Sequence, residues 1–250
     1  MRLVKMMLVG IDEAGRGPCL GPLVVGGFAL PEKDLDLLAE YGIKDSKLLS
    51  NEKREDCFNW LNNKAEERGW RIQKLLALPE HIDNWMENRS LNDLEVEMFA
   101  HISNEIMSIG IPEKGRLHLD ACDVNEERFG GNVASRLMNW PYDGWEIKSE
   151  HGADTKHLVV GAASIIAKQT REKFIQEMNE NDSINFGSGY PSDPKTREIL
   201  PRLVSGDSPH EMLRWCWKTT KKAWSDTHES DIPKRPRVEP LLPETNLLDF

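Results

Sequence analysis

Four acidic residues could together hold a divalent cation. Asp12 and Glu13 follow the apolar run MMLVGI, Asp120 closes RLHLD, and Asp154 lies in HGADTKH ahead of a run of small residues. Acids at strand ends and at a helix start can converge on one sheet edge, where mutual repulsion and desolvation call for a compensating cation. An all-oxygen ligand set favours Mg²⁺ or Mn²⁺, and two such ions suit phosphoryl transfer.

Each acid also has a purely structural interpretation. Asp is a frequent N-cap residue, so Asp154 could simply cap the following helix, and Asp120 could cap a turn. The adjacent pair Asp12 and Glu13 is harder to explain, because a strand alternates its side chains and only one of the two would ordinarily face solvent. The glycines around the pair lack the Gly-Lys-Ser/Thr ending of a nucleotide-binding P-loop, which argues against ATP as a ligand.

Short apolar runs and helical patterns must position these acids. Residues 6–11 and 23–30 are predicted to be antiparallel strands, because a Gly/Pro-rich turn separates them. Apolar spacing predicts an amphipathic helix over 91–107, and the small residues of 158–178 predict a helix that lies close to a sheet. Further strands are predicted at 70–78, 116–120 and 145–147, and further helices at 52–68, 126–139, 195–203 and 211–223.

The composition is that of an ordinary globular protein. Its 250 residues, 39% of them hydrophobic, can bury one sizeable core. The formal net charge of −10 means that a nucleic-acid partner must meet a local basic patch. Four cysteines without a CxxC pair favour reduced thiols, and no apolar run suits a signal peptide or a membrane span. We expect a cytoplasmic monomer without a membrane partner.

Five segments occur in order between Gly10 and Glu198: GIDEAGRGPCLGP, KDSKLLS, LDACDVN, GADTKHLVVGAASIIAKQTRE and GSGYPSDPKTRE. Together they strongly resemble ribonuclease HII, the type 2 ribonuclease H, in its archaeal and eukaryotic branch. The resemblance implies an α/β fold of the ribonuclease H type, a mixed central sheet flanked by helices with a C-terminal helical extension. It also implies metal-dependent cleavage of RNA in RNA–DNA hybrids and of duplex DNA containing even one ribonucleotide, with 5′-phosphate and 3′-OH products.

The resemblance also implies roles for individual residues. By motif position, the family's catalytic, metal-binding carboxylates fall on Asp12, Glu13, Asp120 and Asp154. The family segment whose main chain recognises the ribose 2′-OH falls on Gly15, Arg16 and Gly17, where a Cβ would hold the backbone away.

Three further substrate-side residues follow from the same motifs. Tyr190 matches a tyrosine that stacks on the sugar 3′ of the cut site; without the motif, it would be taken for a loop tyrosine packed on the core. Lys47 matches a phosphate-contacting lysine, and Asn92 matches a substrate-side asparagine. One departure stands out, because many relatives in this branch have a lysine where this chain has Gly152. A phosphate contact by that lysine is absent here or is supplied elsewhere.

Three regions are predicted along the chain. Residues 1–186 form the catalytic domain, 187–228 a C-terminal helical substrate-binding extension, and 229–250 a flexible, proline-rich tail. Within the extension, the segment 214–224 predicts a basic helix face that could grip duplex phosphates. Its basic residues are Arg214, Lys218, Lys221 and Lys222. Alternatively, Trp215 and Trp217 simply anchor this helix to the core.

The end of the tail, ETNLLDF over Glu244–Phe250, approximates a motif that binds sliding clamps. Leu247 and Phe250 would be the anchors. The segment departs from the motif by Glu244 in place of Gln and by a single terminal aromatic residue. Alternatively, these apolar residues pack back on the enzyme.

Three classes of function remain open from the sequence: the hydrolase just described, another nuclease or recombinase with the same fold, and a non-catalytic hybrid-binding protein. The presence of all four acids and of the Gly-Arg-Gly segment argues against the last.

Overall fold

A mixed five-stranded sheet forms the framework of the part of the chain that the computed structural model describes, residues 6–43, 49–182 and 184–242. The strand order is β3-β2-β1-β4-β5. β1 pairs antiparallel with β2 and parallel with β4, and β4 pairs parallel with β5. The mixed sheet of the predicted α/β class is confirmed. The strands are β1 (Met6–Ala14), β2 (Leu23–Pro31), β3 (Arg71–Ala77), β4 (Lys114–Asp120) and β5 (Trp145–Glu150).

Helices occupy most of the remaining described chain, and four of the predicted ones, at 52–68, 91–107, 158–178 and 195–203, are confirmed to within four residues at each end. The helix predicted over 126–139 ends at Ala134, and Asn139 takes a left-handed φ of 60°. The helices are α1 (Leu35–Tyr41), α2 (Asn51–Arg68), α3 (Pro79–Trp85), α4 (Leu91–Ser108), α5 (Glu126–Ala134), α6 (Ala153–Lys156), α7 (Leu158–Asp182), α8 (Pro194–Leu203) and α9 (Lys218–His228).

The chain divides into two compact units. Unit 1 comprises the described residues within 1–14, 24–75 and 95–170, and unit 2 those within 15–23, 76–94 and 171–250. Each unit has its own apolar cluster, which includes Phe28 and Trp70 in unit 1 and Phe186 and Trp224 in unit 2. The functional boundaries predicted after residues 186 and 228 stay predictions.

Helix α7 lies directly against the sheet within unit 1. A Cβ on Gly10 of β1 would come within 2.3 Å of the main chain of Val159, and one on Gly26 of β2 within 2.7 Å of Ala163 O. Because neither strand position has room for a side chain, glycine is required there. The close approach predicted from the small residues of this helix is confirmed.

The helix predicted over 211–223 begins only at Lys218. Before it, Leu213 forms an isolated antiparallel bridge with Leu20. The N–H groups of Trp215 and Cys216 donate to the Asp83 carboxylate, at 2.8 Å and 3.0 Å. These tertiary hydrogen bonds satisfy the main chain in place of helical ones. The sequence pattern could not predict them, because Asp83 lies more than 130 positions away.

The flexible tail predicted from residue 229 is fixed at Arg235. This side chain is 8% exposed, and its Nη1 donates to Asp83 Oδ2 at 2.8 Å and to Leu213 O at 2.7 Å. Its guanidinium also lies over the Trp215 ring, 4.8 Å from the centroid. These contacts hold Arg235, while the flexible tail predicted over 229–250 stays a prediction, and the proposed clamp motif, Glu244–Phe250, lies outside the described residues. Among the described helices, none has the length and hydropathy to cross a bilayer.

Candidate active site

Three of the predicted acids converge in unit 1. Asp12 lies near the end of β1, Asp120 ends β4, and Asp154 lies in α6. Since β1 and β4 are parallel neighbours with Ile11 opposite Leu119, the two strands bring Asp12 and Asp120 to the same sheet edge. Each of the three acids offers a carboxylate oxygen, and these oxygens all lie within 4.8 Å of one another.

The short helix α6 is set against β4 by a hydrogen bond. The Ala153 N–H donates to Asp120 Oδ1 at 3.1 Å. The N-cap of α6 is Gly152, with a left-handed φ of 62°, and Asp154 is the second residue of the helix. The purely structural interpretation of Asp154 as an N-cap is therefore wrong. Asp154 is only 3% exposed, and its carboxylate belongs to the acidic cluster with Asp12 and Asp120.

Glu13 lies in a different group of possible ligands. Its carboxylate, the buried Glu95 carboxylate and the Cys122 thiol each offer one atom within 4.8 Å of the others. The Cys122 thiol donates to Glu13 Oε2 at 3.2 Å. The sequence pattern does not predict Glu95 or Cys122 as part of the site. Glu95 belongs to an ordinary helical pattern, and Cys122 within LDACDVN was the one available signal.

Electrostatics in this acidic cluster disfavour three charges without a counter-ion. The pKa of Asp12 is raised well above its usual value, first by burial and then by the neighbouring charges of Glu13 and Asp120, with a smaller contribution from Asp154. A hydrogen bond with Ser164 acts in the opposite direction. A divalent cation would offset the repulsion, and the oxygen donors of Asp12, Asp120 and Asp154 fit a hard ion such as Mg²⁺ or Mn²⁺.

The predicted Gly-Arg-Gly segment lies in unit 2 and needs its first glycine for two reasons. Gly15 has φ 92°, which L side chains rarely adopt, and a Cβ there would lie 2.6 Å from Pro22 O. A Cβ on Gly17 would lie 3.5 Å from the Tyr190 ring, which is ordinary contact. The segment and the predicted sugar-stacking tyrosine are therefore neighbours. Tyr190 is 42% exposed, so it is not simply a core tyrosine.

The structure also joins two other predicted substrate residues. Arg16 Nη2 donates to Asn92 Oδ1 at 2.5 Å. Lys47 lies outside the described residues.

The basic face predicted over 214–224 is only partly correct. Arg214 is fully buried and donates to main-chain carbonyls, so it cannot contact a phosphate. Lys218, Lys221 and Lys222 are exposed on α9, although Lys222 pairs with Asp226 at 2.7 Å. The pattern failed because it assigned a helix to Arg214, which precedes the first residue of α9.

Comparisons with known proteins agree on one family. Residues 9–220 match the family model described as Ribonuclease HII. The chain is 38% identical to Ribonuclease HII of Methanococcus vannielii over 233 residues. This alignment covers 93% of this chain and 91% of that protein. Among solved structures, it is similar to ribonuclease H2 from Pyrococcus horikoshii OT3, with a TM-score of 0.77 and 36% identity over 90% of this chain and 100% of that one. It is also similar to a chain in the PCNA:RNase HII complex from Archaeoglobus fulgidus, with a TM-score of 0.71 and 38% identity over 85% of this chain and 95% of that one.

Proposed function

This chain belongs to the ribonuclease HII family, and on that premise we propose that it cuts duplex DNA on the 5′ side of embedded ribonucleotides. It is a metal-dependent endoribonuclease acting on RNA–DNA hybrids. In the proposed reaction, water attacks phosphorus and the bond to the upstream O3′ breaks, which leaves a 3′-OH upstream and a 5′-phosphate on the ribonucleotide. The convergence of Asp12, Asp120 and Asp154 carries the proposal.

We propose that Asp12, Glu13, Asp120 and Asp154 hold two divalent ions, Mg²⁺ or Mn²⁺. When bound, such ions stabilise charge on the attacking and leaving oxygens of a phosphoryl transfer. A bound cation would favour the charged form of Asp12, whose pKa burial and the neighbouring acids raise. The Ala153 N–H and the Cys122 thiol orient the Asp120 and Glu13 carboxylates through their hydrogen bonds.

Recognition of the substrate is assigned to residues of unit 2. We propose that the main chain of Gly15, Arg16 and Gly17 binds the ribose 2′-OH and that Tyr190 stacks on the next sugar. The contact of Gly17 with the Tyr190 ring supports this assignment. Asn92 would act through its hydrogen bond to Arg16.

Backbone contacts are assigned to lysines. We propose that Lys47 and the exposed Lys218 and Lys221 of α9 contact phosphates, which positions the duplex without reading its sequence.

A sliding clamp is the proposed protein partner. The relative from Archaeoglobus fulgidus was solved in a complex with PCNA, which supports a similar role for Glu244–Phe250 here, with Leu247 and Phe250 as anchors. We also propose that the enzyme is a cytoplasmic monomer. All four cysteines are free thiols, which agrees with a reducing compartment.

Cleavage of a duplex with one embedded ribonucleotide tests the proposal. We expect metal-dependent cutting on its 5′ side, no cutting of the same duplex made of DNA alone, and no activity in chelator. Cleavage of the all-DNA duplex would indicate a different nuclease, and binding without cleavage would indicate a hybrid-binding protein. Products with a 2′,3′-cyclic phosphate would show that the ribose 2′-OH attacks phosphorus, and would contradict the proposed attack by water.

A further inference from the structure

Arg214 is fully buried beneath the Gly-Arg-Gly segment, and its guanidinium donates to main-chain carbonyls of that region. Nη2 donates to Gly15 O at 2.6 Å, Nη1 to Arg16 O at 3.2 Å and Nε to Gly21 O at 3.0 Å. Burial, with a further contribution from the charge of Arg171, lowers the pKa of Arg214 to about 9, so the side chain remains a cation at neutral pH. A fixed positive charge thus lies against three peptide oxygens.

Trp217 completes this arrangement. Its Nε1 donates to Gly17 O at 3.3 Å, and its ring lies 4.7 Å from the Arg214 guanidinium. The carbonyls of three consecutive residues, Gly15, Arg16 and Gly17, are therefore all held by one pair of stacked side chains.

The planar trans peptide converts these contacts into an orientation of the N–H groups. In a trans peptide, the carbonyl of one residue and the N–H of the next point in opposite directions. With the Gly15 and Arg16 carbonyls held by Arg214, the N–H groups of Arg16 and Gly17 point away from Arg214. Pro18 follows Gly17 and has no N–H to offer. Two successive donors are thereby directed to the same side of the segment.

The charge of Arg214 also strengthens these donors. A cation that binds a peptide oxygen polarises the amide, and hydrogen bonds in a chain reinforce one another. A segment that is already held in its binding conformation also loses less entropy when its ligand arrives.

We propose that Arg214 and Trp217 are positioning residues that set the Gly15-Arg16-Gly17 main chain to discriminate ribose from deoxyribose. This inference rests on the proposed function of that segment. A 2′-OH offers an acceptor to correctly directed N–H groups, and deoxyribose does not. Lysine at position 214 keeps the charge but lacks the planar fork that reaches several carbonyls at once. Phenylalanine at position 217 keeps a smaller aromatic ring beside the Arg214 guanidinium and removes the donor to Gly17 O.

The test measures affinity for a duplex with one ribonucleotide and for the all-DNA duplex of the same sequence, in an Asp120→Asn background that suppresses cleavage. The quantity compared is the ratio of the two Kd values. We expect Arg214→Lys to lower the preference for the ribonucleotide about tenfold, since several charged hydrogen bonds are lost, and Trp217→Phe about threefold, as for one neutral hydrogen bond.

Arg235→Lys is the matched control, because Arg235 is also buried in unit 2 and donates to a carbonyl, that of Leu213, outside the segment. We expect this variant to lose thermal stability and to keep the preference. If Arg214→Lys does not fold, the Kd ratio of Trp217→Phe alone tests the inference. An unchanged ratio in the folded variants overturns the inference. If the background protein shows no preference and the wild type cuts neither duplex, the proposed function itself is wrong.

Discussion

Arg16 and Asn92, 76 positions apart in the chain, are joined by a hydrogen bond of 2.5 Å between Nη2 and Oδ1. The bond fixes one end of a long and flexible side chain next to the Gly-Arg-Gly main chain. Asn92 therefore does not need to touch the substrate to affect its binding.

Asn92→Ala should raise KM for a single-ribonucleotide duplex about threefold while changing kcat little, because it removes one hydrogen bond to the Arg16 side chain without altering the acids. Steady-state cleavage over a range of substrate concentrations measures both constants. Asn132→Ala, an exposed asparagine of α5 in unit 1, is the control and should leave both unchanged. A loss confined to kcat would contradict this role for Asn92.

Asp120→Asn should lower the single-turnover rate by about three orders of magnitude while the substrate still binds, because one oxygen ligand of the cluster loses its charge. Rapid-quench cleavage and fluorescence anisotropy separate the two effects. Asp123→Asn is a matched control in the same segment. Asp123 pairs with Arg128 at 2.5 Å outside the cluster, so this variant should keep its turnover. Undiminished cleavage by the Asp120 variant would remove the basis for the metal assignment.

Asp34 should make the stability of unit 1 depend on pH. Hydrogen bonds from Arg68, at 2.7 Å and 3.1 Å, and from Trp70, at 2.9 Å, lower the pKa of Asp34 from its usual 3.8. Since the folded pKa is the lower one, the stabilisation is complete above the unfolded pKa and is lost as the pH falls through the folded one.

Asp34→Asn should therefore reduce the free energy of unfolding by about 2 kcal/mol at pH 7, and by less as the pH falls through the lowered pKa of Asp34. Urea unfolding at a series of pH values gives the difference. Glu67→Gln serves as control, because its pair with Lys64 is exposed and should contribute little. A difference that stays constant down to acid pH would rule out ionisation of Asp34 as its source.

Local patterns predicted most of the framework, because strands and long helices depend on residues close in sequence. The runs that became β1 and α7 were identified in this way, and so was the convergence of Asp12, Asp120 and Asp154. Contacts between distant residues escaped prediction. The basic pattern of 214–224 predicts a phosphate contact for Arg214, but the carbonyls that bind this side chain lie nearly 200 positions away.

The same limit applies to Glu13. Adjacency to Asp12 predicts one shared site, and the Glu13 charge does raise the pKa of Asp12. Glu13 also meets Glu95 and Cys122, which form a second group of possible ligands with it. Neither partner follows from the spacing of the four acids.

Tyr190 provides the sharpest test of how the substrate is read. Its ring is 42% exposed, lies next to Gly17 and has the Arg171 guanidinium 5.7 Å from its centroid. An exposed aromatic ring beside the segment that we propose binds ribose is suited to stacking on the adjacent sugar. A duplex with one ribonucleotide presents deoxyribose at that position, whereas a long hybrid presents ribose at every step.

Tyr190→Ala should therefore reduce kcat/KM about tenfold more for the single-ribonucleotide duplex than for the hybrid. Tyr190→Phe, which keeps the ring, should retain most of both activities. Equal losses on the two substrates would show that Tyr190 serves only to support the loop.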